Sequence, residues 1–301
     1  MRPLVSVIIP VFNRASELAN ALRTVSDQSF SDWEAVVVDD CSSEDMASVA
    51  SGALPPERLR FVRHEVNRGS GAARNSGIFA ATGRYVAFLD SDDTWHPEKL
   101  KRQVELVERD PDPELVFCVT QTRVMRDGKL VRIAPRRGVA SGENWSEFLY
   151  LANGFAQTSS FFLSRELATR TLFNPEIHRQ EDHLFFLRAG GLGARYRLVE
   201  EPLTTWNNDQ RFDRVSLSPR LEMSRRFIAD AGDLITDKAR IAFEARSLGP
   251  MMLRERPVET LKLFGRAAAI GAVTPRDLMA VAARTLLPPA AVVSLQRLLG
   301  V

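Results

Sequence analysis

Three carboxylates lie within four positions of the sequence, Asp90, Asp92 and Asp93, directly after an apolar run at 85–89. Their mutual repulsion is unfavourable unless a cation or backbone donors compensate it. Aspartates in a D-x-D pattern at a strand end suit a hard divalent ion, Mg²⁺ or Mn²⁺, which also holds substrate phosphates. The alternative is capping of the helix that begins near Pro97, but a cap uses one carboxylate. The cluster therefore predicts a metal site.

A second acidic pair and a glycine-rich segment suit a nucleotide ligand. Asp39 and Asp40 follow an apolar run, where a carboxylate can accept from a nucleobase or a ribose; capping of the next helix is the alternative. Residues 67–77 can present backbone N–H groups to a phosphate, with Arg74 adding charge; an ordinary flexible loop is the alternative. Arg74 replaces the third glycine of a dinucleotide-binding G-x-G-x-x-G pattern, which disfavours a hydride-transfer enzyme.

A third acidic group, Glu181 and Asp182, precedes a strongly apolar segment at 184–189 that we predict to be helical. Carboxylates are common at helix starts because they interact favourably with the helix dipole. The pair is therefore explained either by helix stability or by acid–base chemistry. The neighbouring His183 receives no role from the sequence.

The elements that position these groups alternate between apolar runs and amphipathic segments through the first 110 residues. This pattern predicts a mostly parallel, Rossmann-like α/β sheet with helices on both faces. The predicted strands span 5–9, 35–38, 59–62 and 85–89, and the predicted helices follow Ser16 as N-cap and span 43–50, 72–81 and 98–107. Because ligands bind beyond the carboxyl ends of such strands, the polar segments 10–13, 38–42, 67–77 and 90–93 should converge at one edge.

The pattern changes after residue 113. Segments 115–125 and 130–133 flank Asp127-Gly128, which is a strong signal for an antiparallel hairpin. We predict further strands at 157–163 and 197–199, and only helices after about residue 220. The expected organisation is one domain at 1–218, divided into halves at 1–113 and 114–218, followed by a C-terminal helical region at 219–301.

Composition restricts the class of protein but selects no partner. The chain has 301 residues, 26% of them charged, with a formal net charge of +2 that gives no argument for a nucleic-acid partner. Cys41 and Cys118 have no metal-ligand spacing, so we expect free thiols in a reducing compartment. The N-terminus has no signal-peptide pattern and no apolar run is long enough for a transmembrane helix. After residue 260, arginines spread among apolar residues allow either a membrane-surface helix or a helical cap.

The order of four motifs carries a family resemblance. VSVIIPVFNR, VVVDDCS, NRGSGAARNSGIFAATGRYVAFLDSDD and QEDHLFFLRAG follow one another in this chain. In that order they resemble the family 2 glycosyltransferases, which are inverting enzymes of the GT-A fold that use nucleotide-diphospho-sugars. The resemblance is close over residues 4–113 and looser to about residue 218.

The resemblance implies a role for each candidate residue. Asp92 is expected to be the chief metal ligand with Asp93 beside it, Asp182 the general base, and Glu181 a neighbour of the acceptor. The residues implied to contact the nucleotide-sugar are Pro10, Val11 and Asn13 in the nucleotide pocket, Asp39 at the base, Asn67, Gly69 and Arg74 near the ribose and diphosphate, and Asp90 near the ribose or sugar.

Two departures from the family pattern stand out. Trp206 and Asn208 occupy the positions where many relatives carry an arginine and a metal-binding histidine, although Asn208 or Asp209 could coordinate. The Q-x-x-R-W pattern of processive enzymes is missing, which favours transfer of one sugar per encounter.

The expected reaction is metal-dependent transfer of a sugar, from a UDP-sugar by the family's usual preference, to a glycan or lipid-linked hydroxyl in cell-envelope or exopolysaccharide assembly. The expected location is the cytoplasm, with peripheral contact to the cytoplasmic membrane face through the C-terminal helices left open. A nucleotide-sugar-binding protein without turnover is the main alternative, and a dinucleotide-dependent oxidoreductase is a remote one.

Overall fold

The computed structural model describes residues 2–208, 220–253, 255–275, 278–279 and 281. Within these residues, nine strands form one sheet in the order β3-β2-β1-β4-β8-β6-β9-β5, with β7 paired to β6. The strands are β1 Val5–Val11, β2 Trp33–Asp39, β3 Leu59–Arg63, β4 Tyr85–Phe88, β5 Thr94–Trp95, β6 Val116–Arg126, β7 Lys129–Ala134, β8 Phe162–Ser164 and β9 Arg195–Asn207. The helices are α1 Ala15–Ser26, α2 Met46–Ala53, α3 Ser70–Ala80, α4 Lys99–Glu108, α5 Trp145–Tyr150, α6 Arg165–Thr171, α7 Glu181–Gly191, α8 Arg220–Ala231, α9 Asp237–Phe243, α10 Gly249–Met252 and α11 Pro257–Ala269.

The first half of the chain is the parallel part of the sheet, as predicted. β1 pairs in parallel with β2 and β4, and β2 with β3. All residues of β1 and β2 are buried because helices cover both faces. Val7 and Ile9 face a core that includes Leu18 of α1, whereas Ile8 faces a second core that includes Ala73 of α3. Alternate side chains of one strand thus anchor two helical layers.

The second half adds antiparallel pairs. β8 is antiparallel to β4 and to β6, while the long strands β6 and β9 pair in parallel. The predicted hairpin is confirmed: Asp127 and Gly128 have φ of 49° and 72° and connect β6 to β7. The predicted strand at 157–163 is confirmed only at its end, because β8 begins at Phe162 and a 3₁₀ turn, Thr158–Ser160, occupies the earlier part.

The start of α1 also differs from the prediction. Arg14, not Ser16, is the N-cap residue, and it makes no side-chain capping hydrogen bond. The Ser16 hydroxyl donates to the Glu17 carboxylate within the first turn. Arg14 is thereby the last residue of the loop after β1, which places its side chain beside the strand ends.

The C-terminal helices pack on the same core as the α3 face of the sheet. Phe227 of α8, Phe243 of α9 and Phe264 of α11 are buried in this core. None of the helices in the described part of the chain is long and apolar enough to cross a membrane. The arginines that motivated a membrane contact lie in part outside the described residues, at Arg276, Arg284 and Arg297.

Candidate active site

The four predicted strand-end segments meet around one cleft of about 720 Å³. This volume lies within the range of small-molecule sites. The confirmed parallel topology explains the meeting, since β1, β2 and β4 all end at this edge. Predicted site residues in the cleft wall are Pro10, Val11, Asn13, Asn67, Gly69, Arg74, Asp90, Asp92, Glu181 and Asp182. Asp39 and Asp93 are not part of that wall.

Asn13 ties the loop after β1 to the loop after β2. It adopts a left-handed backbone conformation with φ of 50°, which asparagine tolerates better than most residues. Its Oδ1 accepts from the Ser43 backbone N–H at 2.8 Å, and its own N–H donates to the Ser42 hydroxyl at 2.9 Å. The floor of the cleft beside Pro10 and Val11 is therefore fixed by reciprocal hydrogen bonds.

The second acidic pair divides into two structural roles. The Asp40 carboxylate accepts from the backbone N–H groups of Arg68 at 2.8 Å and Gly69 at 2.7 Å, and from His64 Nδ1. It thus shapes the glycine-rich loop, where Gly69 has φ of 84°. The Asp39 carboxylate is fully buried, accepts from the Ser42 N–H and pairs with Arg63 at 3.0 Å. Contact of Asp39 with a nucleobase stays a prediction.

The D-x-D cluster presents two carboxylates to the cleft, each with an arginine. Asp90 accepts from Arg74 Nη2 at 2.6 Å, and Asp92 pairs with Arg14 Nη1 at 2.8 Å. Their side chains are 25% and 17% exposed. The charge repulsion noted from the sequence is thus relieved in part by two cations from distant segments.

Asp93 points away from the cleft into a buried polar cluster. Its Oδ2 accepts from Gln157 Nε2 at 2.7 Å and the Ser159 hydroxyl at 2.6 Å, and its Oδ1 from the Asn207 N–H at 3.2 Å. Burial, followed by the charges of Asp92 and Asp90, raises its pKa well above the ordinary value. With both oxygens bonded to protein donors, Asp93 supports the turn, and we do not retain it as a metal ligand.

The third acidic group lies at the start of α7, in the cleft wall. Arg74 is 5% exposed and reaches the Glu181 carboxylate at 3.5 Å as well as Asp90. Burial raises the pKa of both Glu181 and Asp182, against the opposing effect of Arg74. Burial alone would lower the pKa of Arg74, but the surrounding carboxylates raise it. Arg74 thus stays charged and connects the strand-end and helix-start carboxylates.

His183 adds a neutral polar group beside Asp182. Burial lowers its pKa to about 4, so the imidazole is uncharged at neutral pH. Its Nδ1 shares a hydrogen bond of 2.8 Å with the buried Tyr150 hydroxyl, and its backbone N–H donates to Asp182 Oδ1. These contacts hold the start of α7 against α5.

Several cleft residues were missed from the sequence. Phe12 is 45% exposed and lies in the wall. The sequence signal that could have identified Phe12 was its position within the strand-end segment PVFN. Gln157 also lines the cleft, and its buried Oε1 has no hydrogen-bond partner among the described residues. The Nε2 of the amide faces Asp93 and donates to its Oδ2 at 2.7 Å, which leaves Oε1 on the other side of the amide. Other wall residues not predicted are Arg14, Ser70, Thr158, His178, Arg179 and Gln180.

The end of β9 and the residue after it contribute to the cleft and to the strand-end turn. Trp206 lines the cleft, while the Asn207 side chain donates to the Asp92 carbonyl at 2.7 Å. The Asn208 backbone N–H donates to the Met125 carbonyl. Asp209 lies outside the described residues.

The donor set fits a hard divalent cation in one respect. Asp92 presents a carboxylate oxygen in the cleft, and Mg²⁺-type sites use one or two carboxylates together with substrate phosphates. The described residues contain no group of three or more His, Cys, Asp or Glu side chains that could hold a metal by themselves. Asp92 and the other described residues could therefore supply only part of the ligands of such a cation.

The fold and the cleft together define an α/β protein whose sheet edge carries carboxylates at both a strand end and a helix start of one cleft. Residues 6–168 match the model of glycosyl transferase family 2, and the chain belongs to that family. Among curated relatives, the amylovoran biosynthesis glycosyltransferase AmsB of Erwinia amylovora is 32% identical over 212 residues, which cover 69% of this chain and 70% of AmsB.

Solved structures with the same fold are glycosyltransferases at low identity. S. aureus TarS 1-349, crystallised in complex with UDP-GlcNAc, matches with a TM-score of 0.68 at 20% identity, covering 92% of this chain and 83% of TarS. The mannosyltransferase PcManGT of Pyrobaculum calidifontis, in complex with GDP-Man and Mn²⁺, has a TM-score of 0.60 at 17% identity, covering 100% and 80% of the two chains. The predicted GT-A fold is thereby confirmed.

Proposed function

We propose that the protein is an inverting glycosyltransferase that moves a sugar from a nucleotide-diphospho-sugar to a hydroxyl of a glycan or lipid-linked acceptor. The observation that carries the proposal is the presence in one cleft of Asp92, Asp182 and the buried Arg74 between their two segments. Asp92 would serve the leaving diphosphate, and Asp182 would serve the attacking hydroxyl. A binding protein without turnover would need only the first.

The nucleotide would lie along the ends of β1 and β2 and the start of α3. Pro10, Val11 and Asn13 supply the floor, and Phe12 offers an exposed ring on which a base can stack. Asn67 and Gly69 flank the loop that precedes the α3 N-terminus, where backbone N–H groups favour a diphosphate. Asp39 could meet the base only after it is released from Ser42 and Arg63.

The diphosphate side of the cleft would hold Mg²⁺ or Mn²⁺ through Asp92. A bound divalent ion offsets the negative charge that grows on the departing diphosphate. For this, Arg14 must share or release the Asp92 carboxylate, to which it lies at 2.8 Å. Asp90 and Arg74 remain as an ion pair that positions the ribose or the sugar.

On the acceptor side, Asp182 would take the proton of the attacking hydroxyl. Burial raises the pKa of Asp182 to about 6, which brings the carboxylate closer to the operating pH that a general base requires. Glu181, held 3.5 Å from Arg74, would contact the acceptor. Gln157 Oε1, which has no partner in the described part of the chain, would accept a hydrogen bond from a sugar hydroxyl.

The biological setting is inferred from relatives. AmsB is named for amylovoran biosynthesis, and the TarS complex contains UDP-GlcNAc. We therefore propose a role in exopolysaccharide or cell-envelope assembly, a UDP-sugar donor and a site of action at the cytoplasmic membrane face. We also retain the proposed division into a transferase domain at 1–218, with halves at 1–113 and 114–218, and a helical region at 219–301. The family assignment gives no support to the oxidoreductase alternative.

The proposal is tested with a panel of nucleotide-sugars, measured first by thermal shift with and without Mn²⁺ and then by release of free nucleotide diphosphate. We expect stabilisation by UDP or a UDP-sugar that depends on the metal, followed by turnover. Protection by NAD instead would contradict the proposal. Metal-dependent binding without any turnover, with all acceptors tested, would favour the non-catalytic binding protein.

A further inference from the structure

The hairpin of β6 and β7 combines charge and apolar exposure in one place. Residues 123–137, RVMRDGKLVRIAPRR, contain six basic residues and one acid. The five basic residues of this segment that are exposed are Arg126, Lys129, Arg132, Arg136 and Arg137. The chain as a whole is nearly neutral, with a net charge of +2, so this concentration of positive charge is local.

The same hairpin exposes three large aliphatic side chains. Leu130 is 53% exposed, Val131 52% and Ile133 38%. They lie on β7, which among the described residues pairs with β6 alone and so forms an edge. We define the hairpin surface as these three side chains together with Arg126, Lys129, Arg132 and Arg136; Arg137 is left out because it forms an ion pair with Glu143 at 2.6 Å.

Protection of an edge strand does not explain this composition. Lysine and arginine on an edge are a usual device against pairing with other chains. Exposed Leu130 and Val131 are not needed to prevent such pairing, and exposed aliphatic side chains on an edge strand favour it. The combination of inserted aliphatic groups and surrounding positive charge is instead what attracts a protein to an anionic membrane surface.

We propose that the hairpin surface docks on anionic membrane lipids along the β7 edge, so that Val131 and Ile133 on one face of the strand and Leu130 on the other enter the headgroup region. This inference rests on the proposed function, because it supplies the route to a lipid-linked acceptor. It differs from the C-terminal helices considered from the sequence, since the hairpin is formed by β6 and β7 in the middle of the chain.

Side-chain contacts connect the hairpin surface to the cleft. The Arg132 guanidinium lies over the Phe155 ring at 5.4 Å, and the Phe155 ring contacts Trp206 with 5.8 Å between centroids. Trp206 is part of the cleft wall. A membrane bound at the hairpin therefore lies close to the mouth of the site, where a hydroxyl on a lipid headgroup could reach Asp182.

The experiment is vesicle flotation of the full chain with phosphatidylcholine alone and with added phosphatidylglycerol. We expect binding to the anionic vesicles only, weakened by high salt. Leu130→Ser with Val131→Ser should lower the partition coefficient about 10-fold. Arg126→Gln with Lys129→Gln should lower it by about 10-fold or more, since each basic residue near an anionic surface contributes.

The matched control removes two exposed basic residues at α4 and its C-cap, where Lys101→Gln with Arg109→Gln should leave flotation unchanged. Equal flotation of the aliphatic double variant and wild type would overturn the proposal, as would preference for a short RNA or self-association through the edge strand. Truncation near Thr274 that abolishes flotation while the hairpin variants float normally would assign the contact to the C-terminal helices. UDP binding and transfer to a soluble acceptor, measured separately, should be unchanged in the hairpin variants, so failure of the proposed function is distinguishable.

Discussion

The strand-end and helix-start carboxylates of the cleft differ in how their charge is balanced. Asp90 and Asp92 are partly exposed and each has its own arginine within 2.8 Å. The Glu181 side chain is about as exposed as that of Asp92, 16% against 17%, but its ion pair with Arg74 is longer, at 3.5 Å. Burial, only partly opposed by Arg74, raises the pKa of both Glu181 and Asp182. The same side-chain chemistry is therefore suited to holding positive charge at one segment and to accepting a proton at the other.

Removal of the proposed base should have the largest effect. Asp182→Asn keeps the shape of the side chain but cannot accept the hydroxyl proton, so transfer should fall about 100- to 10,000-fold. The rate is measured by diphosphate release with acceptor, and UDP affinity should be retained. Asp237→Asn, in the first turn of the distant α9, is the control and should remain fully active. Near-normal transfer by Asp182→Asn would remove the proposed difference between the two segments.

Removal of the proposed metal ligand should affect binding rather than proton transfer. Changing a residue that only hydrogen-bonds to a metal ligand lowers metal affinity about 10- to 100-fold. Because Asp92 would bind the metal directly, we expect Asp92→Ala to lower Mn²⁺-dependent UDP affinity by more than that. Calorimetry with Mn²⁺ and with EDTA measures it. Asp32→Ala, on an exposed loop, should behave as wild type. Unchanged affinity would return Asp92 to the role of a turn residue.

Arg74 links the two segments, so its removal should change both. In Arg74→Gln the helix-start carboxyls lose the opposing positive charge, and their pKa should rise further. The acidic limb of the pH–rate profile should move up by about one to three pH units. Arg84→Gln, which breaks surface ion pairs with Glu108 and Glu114, should leave the profile in place. An unmoved limb in Arg74→Gln would show that Arg74 does not act on the base.

The smallest expected effect is the pH dependence of the wild type. Transfer should decline as pH falls through about 6, because burial raises the pKa of Asp182 to about 6 and the base must be deprotonated. The stability of the fold, by contrast, should decline as pH rises. Over this range the native carboxyl binds its proton more tightly than the unfolded one, whose pKa is near 4, so the free energy of unfolding should fall as pH rises from about 4 to about 6. Urea unfolding measures this, and Asp182→Asn should show a shallower decline; an identical decline would contradict the assignment.

The sequence located the cleft more reliably than it located individual contacts. The ends of β1, β2 and β4 could be brought together because parallel strands that alternate with helices share one carboxyl edge. Asp93 could not be placed, because its partners Gln157, Ser159 and Asn207 lie 64, 66 and 114 residues away along the chain. Local patterns carry no information about such partners.

The Asp39 and Ser16 expectations illustrate the same limit at short range. A carboxylate at a strand end satisfies a nearby N–H as readily as it contacts a ligand, and Asp39 is occupied by Ser42 and Arg63. Serine is a favourable capping residue, but α1 already begins at Ala15, so Ser16 lies inside the first turn and Arg14 is the N-cap residue. The hairpin at Asp127-Gly128 was predictable because its turn requires two left-handed residues in succession.

The buried cluster around Asp93 has a consequence for how the protein acquires its site during folding. The turn that carries Asp90 and Asp92 is fastened by Ser159, which receives the Asp90 N–H, and by Asn207, which bonds the Asp92 carbonyl. Ser159 and Asn207 are both synthesised long after the turn that they support. A nascent or truncated chain that ends at residue 113 would contain the whole D-x-D motif and yet leave the Asp93 carboxyl without these donors. Cation affinity should accordingly appear late, together with the docking of β9, and not with the first folded strands.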